Sequence, residues 1–171
     1  TAPIAEIRTP AEKACVRGTY DIAIYGVDVN FYLMNLYIDE ALINAWSGGG
    51  TQTYAIDTTT LTDGPHTIKL IAYDEAGNAQ EYTMTVTVDN TAPKVWIDVP
   101  SSGDELSGVR NIMFTASDAH PARVSLYIDD KVFDVSGETS YEWDTSSVND
   151  GFHAIKVLAI DEAGNMGETQ I

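Results

Sequence analysis

Basic residues are scarce in this chain: nine Lys and Arg stand against 26 Asp and Glu in 171 residues, a formal net charge of −17. A phosphate backbone is drawn to stripes of Lys and Arg, so this balance excludes nucleic acid as a partner and favours solubility and cations. Cysteine is almost as rare. The single Cys15 cannot form an intrachain disulfide, so packing has to stabilise the fold, with or without help from a metal. Lacking a CxxC neighbourhood, Cys15 reads as a small buried apolar residue rather than a reactive thiol. No apolar run approaches the ~20 residues that cross a bilayer, and the opening TAPIAEIRTP lacks the basic-then-apolar order of a signal peptide, as expected of a mature or excised segment. Catalytic signatures are missing too. There is no GxSxG, no HExxH and no glycine-rich phosphate loop, and histidines number three, so no catalytic residue is assigned.

What is present is an ordinary globular composition, 44% hydrophobic and 20% charged, arranged as a duplication. TAP at Thr1–Pro3 returns at Thr91–Pro93, Gly18 matches Gly108, Asp28 matches Asp118, and LYIDE at Leu36–Glu40 returns as LYIDD at Leu126–Asp130, always 90 positions on. From Asp57 the run DTTTLTDGPHTIKLIAYDEAGN matches DTSSVNDGFHAIKVLAIDEAGN from Asp144, now 87 positions on, so one hairpin is three residues shorter. Two domains are expected, 1–90 and 91–171, joined at Val88–Pro93, where the residue before proline avoids the helical region. At the second offset Ile171 corresponds to Met84, so the last strand of the second copy is expected to be incomplete. An edge exposed there can recruit a strand from another subunit.

Nearly every segment alternates polar and apolar residues with period two, and helix signals are absent. The alternation places Ile22 and Ile24, then Met34, Leu36 and Ile38, then Ile68, Leu70 and Ala72, and finally Tyr82, Met84, Val86 and Val88 on inward faces. The second copy repeats this with Ile112, Phe114, Val124, Leu126, Ile128, Ile155 and Val157. Tyr54 with Ile56, and Tyr141 with Trp143, supply a further core strand in each copy. Adding Ile4–Ile7 and Ala41–Trp46 gives about seven strands per copy. The expected fold is all-β: two tandem immunoglobulin-like antiparallel β-sandwiches.

The pentapeptide DEAGN occurs at Asp74–Asn78 and again at Asp161–Asn165. It fits a hairpin closed by a type I turn with glycine in the left-handed region at Gly77. Asp74 and Asn78 then bond local backbone groups; metal ligation is the alternative reading. His66 and His153 each follow DG-x at the corner entering a long core strand and read as corner-locking side chains.

DG-x-H, A-x-DEAGN and VDNTAP, combined in tandem units of about 90 residues, resemble the bacterial and archaeal immunoglobulin-like repeats of large cell-surface and secreted proteins. The resemblance implies an extracellular β-sandwich spacer or binding module flanked by further repeats of the same protein. Such modules serve adhesins, surface layers and extracellular enzymes alike.

Two ligand hypotheses follow. In a sandwich of this topology the loop after the second strand and the DEAGN hairpin share one end. Asp118, Asp161 and Asn165 are expected to face the linker residues Asp89 and Asn90, and calcium, which takes about 6–8 oxygens, is the candidate cofactor there. Asp28, Asp74 and Asn78 form the equivalent set in the first copy. The second hypothesis is a glycan site: Tyr37 and Tyr73 fall outward on neighbouring strands, and flat aromatic pairs stack on sugar rings, although cross-strand pairing explains them equally well. Trp96 also points outward. The resulting expectation is a non-catalytic stalk, adhesin segment or surface-layer component, with neighbouring repeats and a cell-surface protein or glycan as partners. A carbohydrate-binding accessory module of a secreted hydrolase is the alternative.

Overall fold

The computed structural model describes all 171 residues, and the chain divides into two compact units, Thr1–Asn90 and Thr91–Ile171. The first contains β1 (Ile4–Thr9), β2 (Cys15–Val16), β3 (Thr19–Val27), β4 (Phe31–Ile38), β5 (Ala41–Trp46), β6 (Gly50–Asp57), β7 (Gly64–Asp74) and β8 (Ala79–Val88). One layer has the order β1-β3-β6 and the facing layer β2-β8-β7-β4-β5. Pairing is antiparallel except between β2 and β8, which run parallel. The second unit holds β9 (Lys94–Val99), β10 (Val109–Ser117), β11 (Pro121–Ile128), β12 (Lys131–Asp134), β13 (Ser140–Asp144), β14 (Ile155–Asp161) and β15 (Met166–Gln170). Its layers run β13-β10-β9 and β12-β11-β14-β15.

Period-two alternation makes these strands, because successive side chains on extended backbone point to opposite faces. Along β7 the residues His66, Ile68, Leu70, Ala72 and Asp74 are all buried while their neighbours are not. Ile22, Ile24, Met34, Leu36 and Leu70 meet in the first core; Ile112, Phe114, Leu126 and Val157 form a separate second core. Each such side chain stabilises by roughly 1.5–3 kcal/mol when fully buried. Val124, expected inside, is half-buried and packs on the second core.

Tyr82 departs from expectation: it lies on the inward face yet is 41% exposed. It sits in the hairpin half of β8, where Ala79–Thr83 are all exposed and burial begins only at Met84.

Local chemistry closes the connections. Ile38 pairs with Ala41, leaving Asp39 and Glu40 as a two-residue loop with φ of 47° and 67°, the signs a type I′ turn requires. Asn90 locks the end of the first unit: its Oδ1 accepts from the Gly18 N–H at 3.0 Å and the Thr58 hydroxyl at 2.9 Å, and its backbone N–H donates to Asp63 at 2.9 Å. In the second unit β15 runs so close to the start of β9 that a Cβ on Gly167 would stand 1.8 Å from the Pro93 carbonyl oxygen, a position only glycine can fill.

Candidate functional site

The DEAGN segments close the β7–β8 and β14–β15 hairpins. In the first, Gly77 N–H donates to the Asp74 carbonyl at 3.1 Å and Asp74 N–H to the Asn78 carbonyl at 3.0 Å, with Gly77 at φ 85°. This is the turn-plus-left-handed-glycine geometry read from the sequence. The second repeats it, with corresponding distances of 3.2 and 3.1 Å and Gly164 at φ 87°.

Each hairpin holds its aspartate in a fixed pose. Asn78 donates its N–H to Asp74 Oδ1 at 2.8 Å and its side-chain Nδ2 to Oδ2 at 2.7 Å; Asn165 does the same to Asp161 at 2.8 and 2.7 Å. Asp74 and Asp161 are 5% and 3% exposed. The Asn78 side chain outweighs the effect of burial and, with the backbone N–H groups of Asn78 and Ala76, holds the Asp74 carboxyl below its ordinary 3.8. The preceding loop docks alongside: Glu75 N–H donates to the Asn30 carbonyl and Glu162 N–H to the His120 carbonyl, both at 2.9 Å. Asp28 and Asp118 cap those loops, accepting from Asn30 N–H at 2.9 Å and His120 N–H at 2.7 Å.

In the second unit this brings carboxylate oxygens of Asp118 and Asp161 within 4.8 Å of each other. An ion with oxygens at 2.3–2.6 Å can span about 5 Å, and each carboxylate oxygen keeps a lone pair beyond its hydrogen bond, so the donor set is chemically suited to calcium. Asn165 stands beside Asp161 as its orienting donor. Of the two linker residues, Asp89 donates its N–H to the Val16 carbonyl at 3.0 Å, and Asn90 has its side-chain oxygen committed to Gly18 and Thr58.

Tyr37 and Tyr73 lie half-buried on the outward face of the β4–β7 pair, but the register separates them. Tyr37 stands opposite Lys69 and Tyr73 opposite Leu33, a displacement of four residues, or about 13 Å at ~3.3 Å per residue. Lys69 sits over the Tyr37 ring at 5.2 Å, and Lys156 over Tyr127 at 4.5 Å, so Tyr37 and its counterpart in the second unit are each matched to a cross-strand lysine. Trp96 is 49% exposed, as its outward position requires.

At the opposite end from the hairpin, sequence reasoning found the histidines but missed their partners. His66 Nδ1 lies 2.5 Å from Asp39 Oδ2 and its Nε2 2.7 Å from the Thr62 carbonyl; His153 makes the same contacts to Asp129 at 2.7 Å and to the Asn149 carbonyl at 2.9 Å. Carbonyls and carboxylates only accept, so a ring making both bonds donates twice and is an imidazolium. Burial alone would push the His66 pKa down; the Asp39 carboxylate and Thr62 carbonyl outweigh it and raise the pKa above 6.5. For His153 the Asp129 hydrogen bond leads and the shift is also upward. Burial opposes ionisation of Asp39, but the Thr67 N–H and His66 together hold its carboxyl below 3.8. The missed signal was the joint duplication of LYID and DG-x-H.

Paired antiparallel layers in this order define the immunoglobulin and fibronectin type III class of β-sandwich. Residues 93–157, inside the second unit, match the family model of the bacterial Ig domain, so the resemblance to bacterial immunoglobulin-like repeats holds there at family level. The fold also matches fibronectin(III)-like modules of Clostridium thermocellum CbhA, with a TM-score of 0.58, 23% identity, and coverage of 98% of this chain and 91% of that one. A structure concerned with host cell surface retention of a 1.5-MDa bacterial ice-binding adhesin matches at a TM-score of 0.53 and 14% identity, covering 100% of this chain and 63% of that one. No curated protein matches the chain.

Proposed function

We propose that the chain is a non-catalytic structural or adhesive segment of an extracellular or cell-surface protein, its two modules being members of a longer series of repeats. The observation that carries this reading is what the duplicated polar residues do. Asp74 with Asn78, Asp161 with Asn165, His66 with Asp39 and His153 with Asp129 each close a turn or corner of their own unit. Repeated polar motifs used this way support a rigid spacer. The bacterial Ig-domain match and the likeness in fold to a module set and an adhesin structure support the same class.

Calcium is the proposed cofactor, held in the second unit by Asp118 and Asp161, with Asn165 fixing the pose of Asp161. The support is the pair of carboxylate oxygens within 4.8 Å and the fixed pose of Asp161. Calorimetry of the chain in excess calcium and in chelator tests it, because a ligand that binds the folded state stabilises by RT ln(1 + [L]/Kd). The second unit's transition should rise in calcium, and the rise should vanish in Asp161→Asn. Identical transitions in calcium and chelator would leave the carboxylates as turn formers.

The glycan reading rests on the shared outward face of Tyr37 and Tyr73. Affinity electrophoresis through a panel of polysaccharide gels, with Tyr73→Ala as control, checks it: retardation of the native chain that the variant loses would favour an accessory carbohydrate-binding module.

A further inference from the structure

The two units carry the same bulge on the same strand and fill it differently. In the first, β1 slips against β3 between Ile7 and Thr9, so Arg8 is the extra residue; in the second, β9 slips against β10 between Ile97 and Val99, so the extra residue is Asp98. Each leans over one cross-strand pair of the outer face, Glu6 with Tyr25 in the first unit and Trp96 with Thr115 in the second. Arg8 lays its guanidinium over the Tyr25 ring, 3.9 Å from the centroid, while Nε donates to a Glu6 carboxylate oxygen at 3.5 Å and Nη1 to the Thr51 hydroxyl at 2.9 Å. Asp98 instead accepts from the Thr115 hydroxyl at 3.0 Å. A ring, a carboxylate and a hydroxyl hold a guanidinium in the first unit. The same three groups recur in the second as Trp96, Asp98 and Thr115, without the guanidinium.

The chain supplies no substitute. Its cations stand over Tyr25, Tyr37 and Tyr127, all on outward faces, and none stands over Trp96, the ring type that attracts a cation most strongly. Beside Trp96, Val99 and Met113 face each other across the strands at 46% and 48% exposure, apolar surface of the kind that covers an aliphatic stem. The charge of this face has one dominant sign. Outward carboxylates at Asp98, Glu142 and Asp144 stand against one outward base, Lys94. Such a face is complementary to a cationic partner and turns away anionic ones. A second copy is a poor source of the cation, because each copy carries −17 and its Arg8 is already held within its own unit.

We propose that the outer face around Trp96 docks an arginine carried on a basic segment of another protein. The guanidinium stacks on the indole, as Arg8 stacks on Tyr25, and donates to the Asp98 carboxylate that Thr115 holds in place. The arginine stem and a neighbouring apolar side chain of the partner cover Val99 and Met113. Lysine fits less well, since a planar fork can lie flat on a ring and still donate sideways to a carboxylate, whereas an ammonium is a point charge. Neither calcium nor the spacer role is needed for this site.

The test is an NMR titration of the whole chain with the blocked peptide GRLRG. Shifts are expected at the Trp96 indole N–H and at the amides of Asp98, Val99, Met113 and Thr115. The peptide GKLKG should bind at least about threefold more weakly, and GQLQG should give no shifts. Trp96→Ala and Asp98→Asn, both at exposed side chains, should each weaken GRLRG at least about threefold, and binding should fade toward ~1 M salt, where charges are screened beyond about 3 Å. Arg8→Ala uncovers Tyr25 and Glu6 and should add a second set of shifts there. No shift at Trp96 with millimolar GRLRG, or equal binding of GQLQG, would overturn the proposal. Shifts at Trp96 from cellohexaose with none from GRLRG would overturn it in favour of a saccharide, and shifts on raising the chain concentration alone in favour of a second copy.

Discussion

Replacing His66 by alanine removes two hydrogen bonds from a charged ring that is 9% exposed, to Asp39 and to the Thr62 carbonyl. Charge-assisted bonds contribute about 1.5–3 kcal/mol each. The Asp39 side chain is 47% exposed and regains water when abandoned, which trims the loss. A net destabilisation of about 3 kcal/mol results, lowering the first unit's melting temperature by roughly 12–24 °C at 4–8 °C per kcal/mol. The sign of the pH dependence follows from the shifts. The raised His66 pKa gives stability that is full below 6.5 and lost as pH rises through the folded-state value; the lowered Asp39 pKa gives stability that is full above 3.8 and lost as pH falls through its folded-state value. The clasp therefore contributes most between about pH 4 and 6.5. Above that window the neutral ring keeps the Nδ1 proton that faces the carboxylate and loses the charge assistance and the Nε2–H bond to the Thr62 carbonyl. Differential scanning calorimetry at pH 5.5 and 9 checks this: His66→Ala should cost clearly more at pH 5.5 and act on one of two transitions. His153→Ala, with a ring 21% exposed, should act on the other and more mildly. Equal losses at both pH values would refute the ion-pair account.

Three further outcomes are expected. Gly167→Ala forces a Cβ to within 1.8 Å of the Pro93 carbonyl and should destabilise the second unit by more than about 2 kcal/mol, read as a drop in its denaturation midpoint with the first unit unmoved. Asn90→Ala removes the acceptor of Gly18 N–H and the Thr58 hydroxyl and should cost the first unit about 2 kcal/mol, with faster amide exchange at Gly18. Gly77→Ala and Gly164→Ala, at φ 85° and 87°, should each cost about 1–2 kcal/mol in their own unit, measured by chemical denaturation.

Period-two alternation and the offsets of 90 and 87 made the sandwich and the DEAGN turn legible, because both depend on residues close in sequence. What escaped depends on contacts across it. His66 and Asp39 are 27 positions apart and meet only because the two-residue turn after β4 folds beside the corner entering β7. Tyr37 and Tyr73 were placed on the correct face, but their separation is fixed by a register that alternation cannot supply. Tyr82 obeys the alternation and is still exposed, since burial also needs something across from it. Asn90 looked like linker; its side chain belongs to the first unit's end.

The parallel alignment of β2 with β8 governs how the first unit would respond to pulling on its two ends. Lys13 N–H to the Thr85 carbonyl at 2.7 Å, Thr87 N–H to Ala14 at 2.9 Å and Asp89 N–H to Val16 at 3.0 Å tie the entering chain to the departing one. Tension applied along those strands loads the three bonds sideways and together, whereas an antiparallel hairpin drawn apart at its open end gives way one bond at a time. The first unit should therefore hold until those three bonds fail together and then open in a single step.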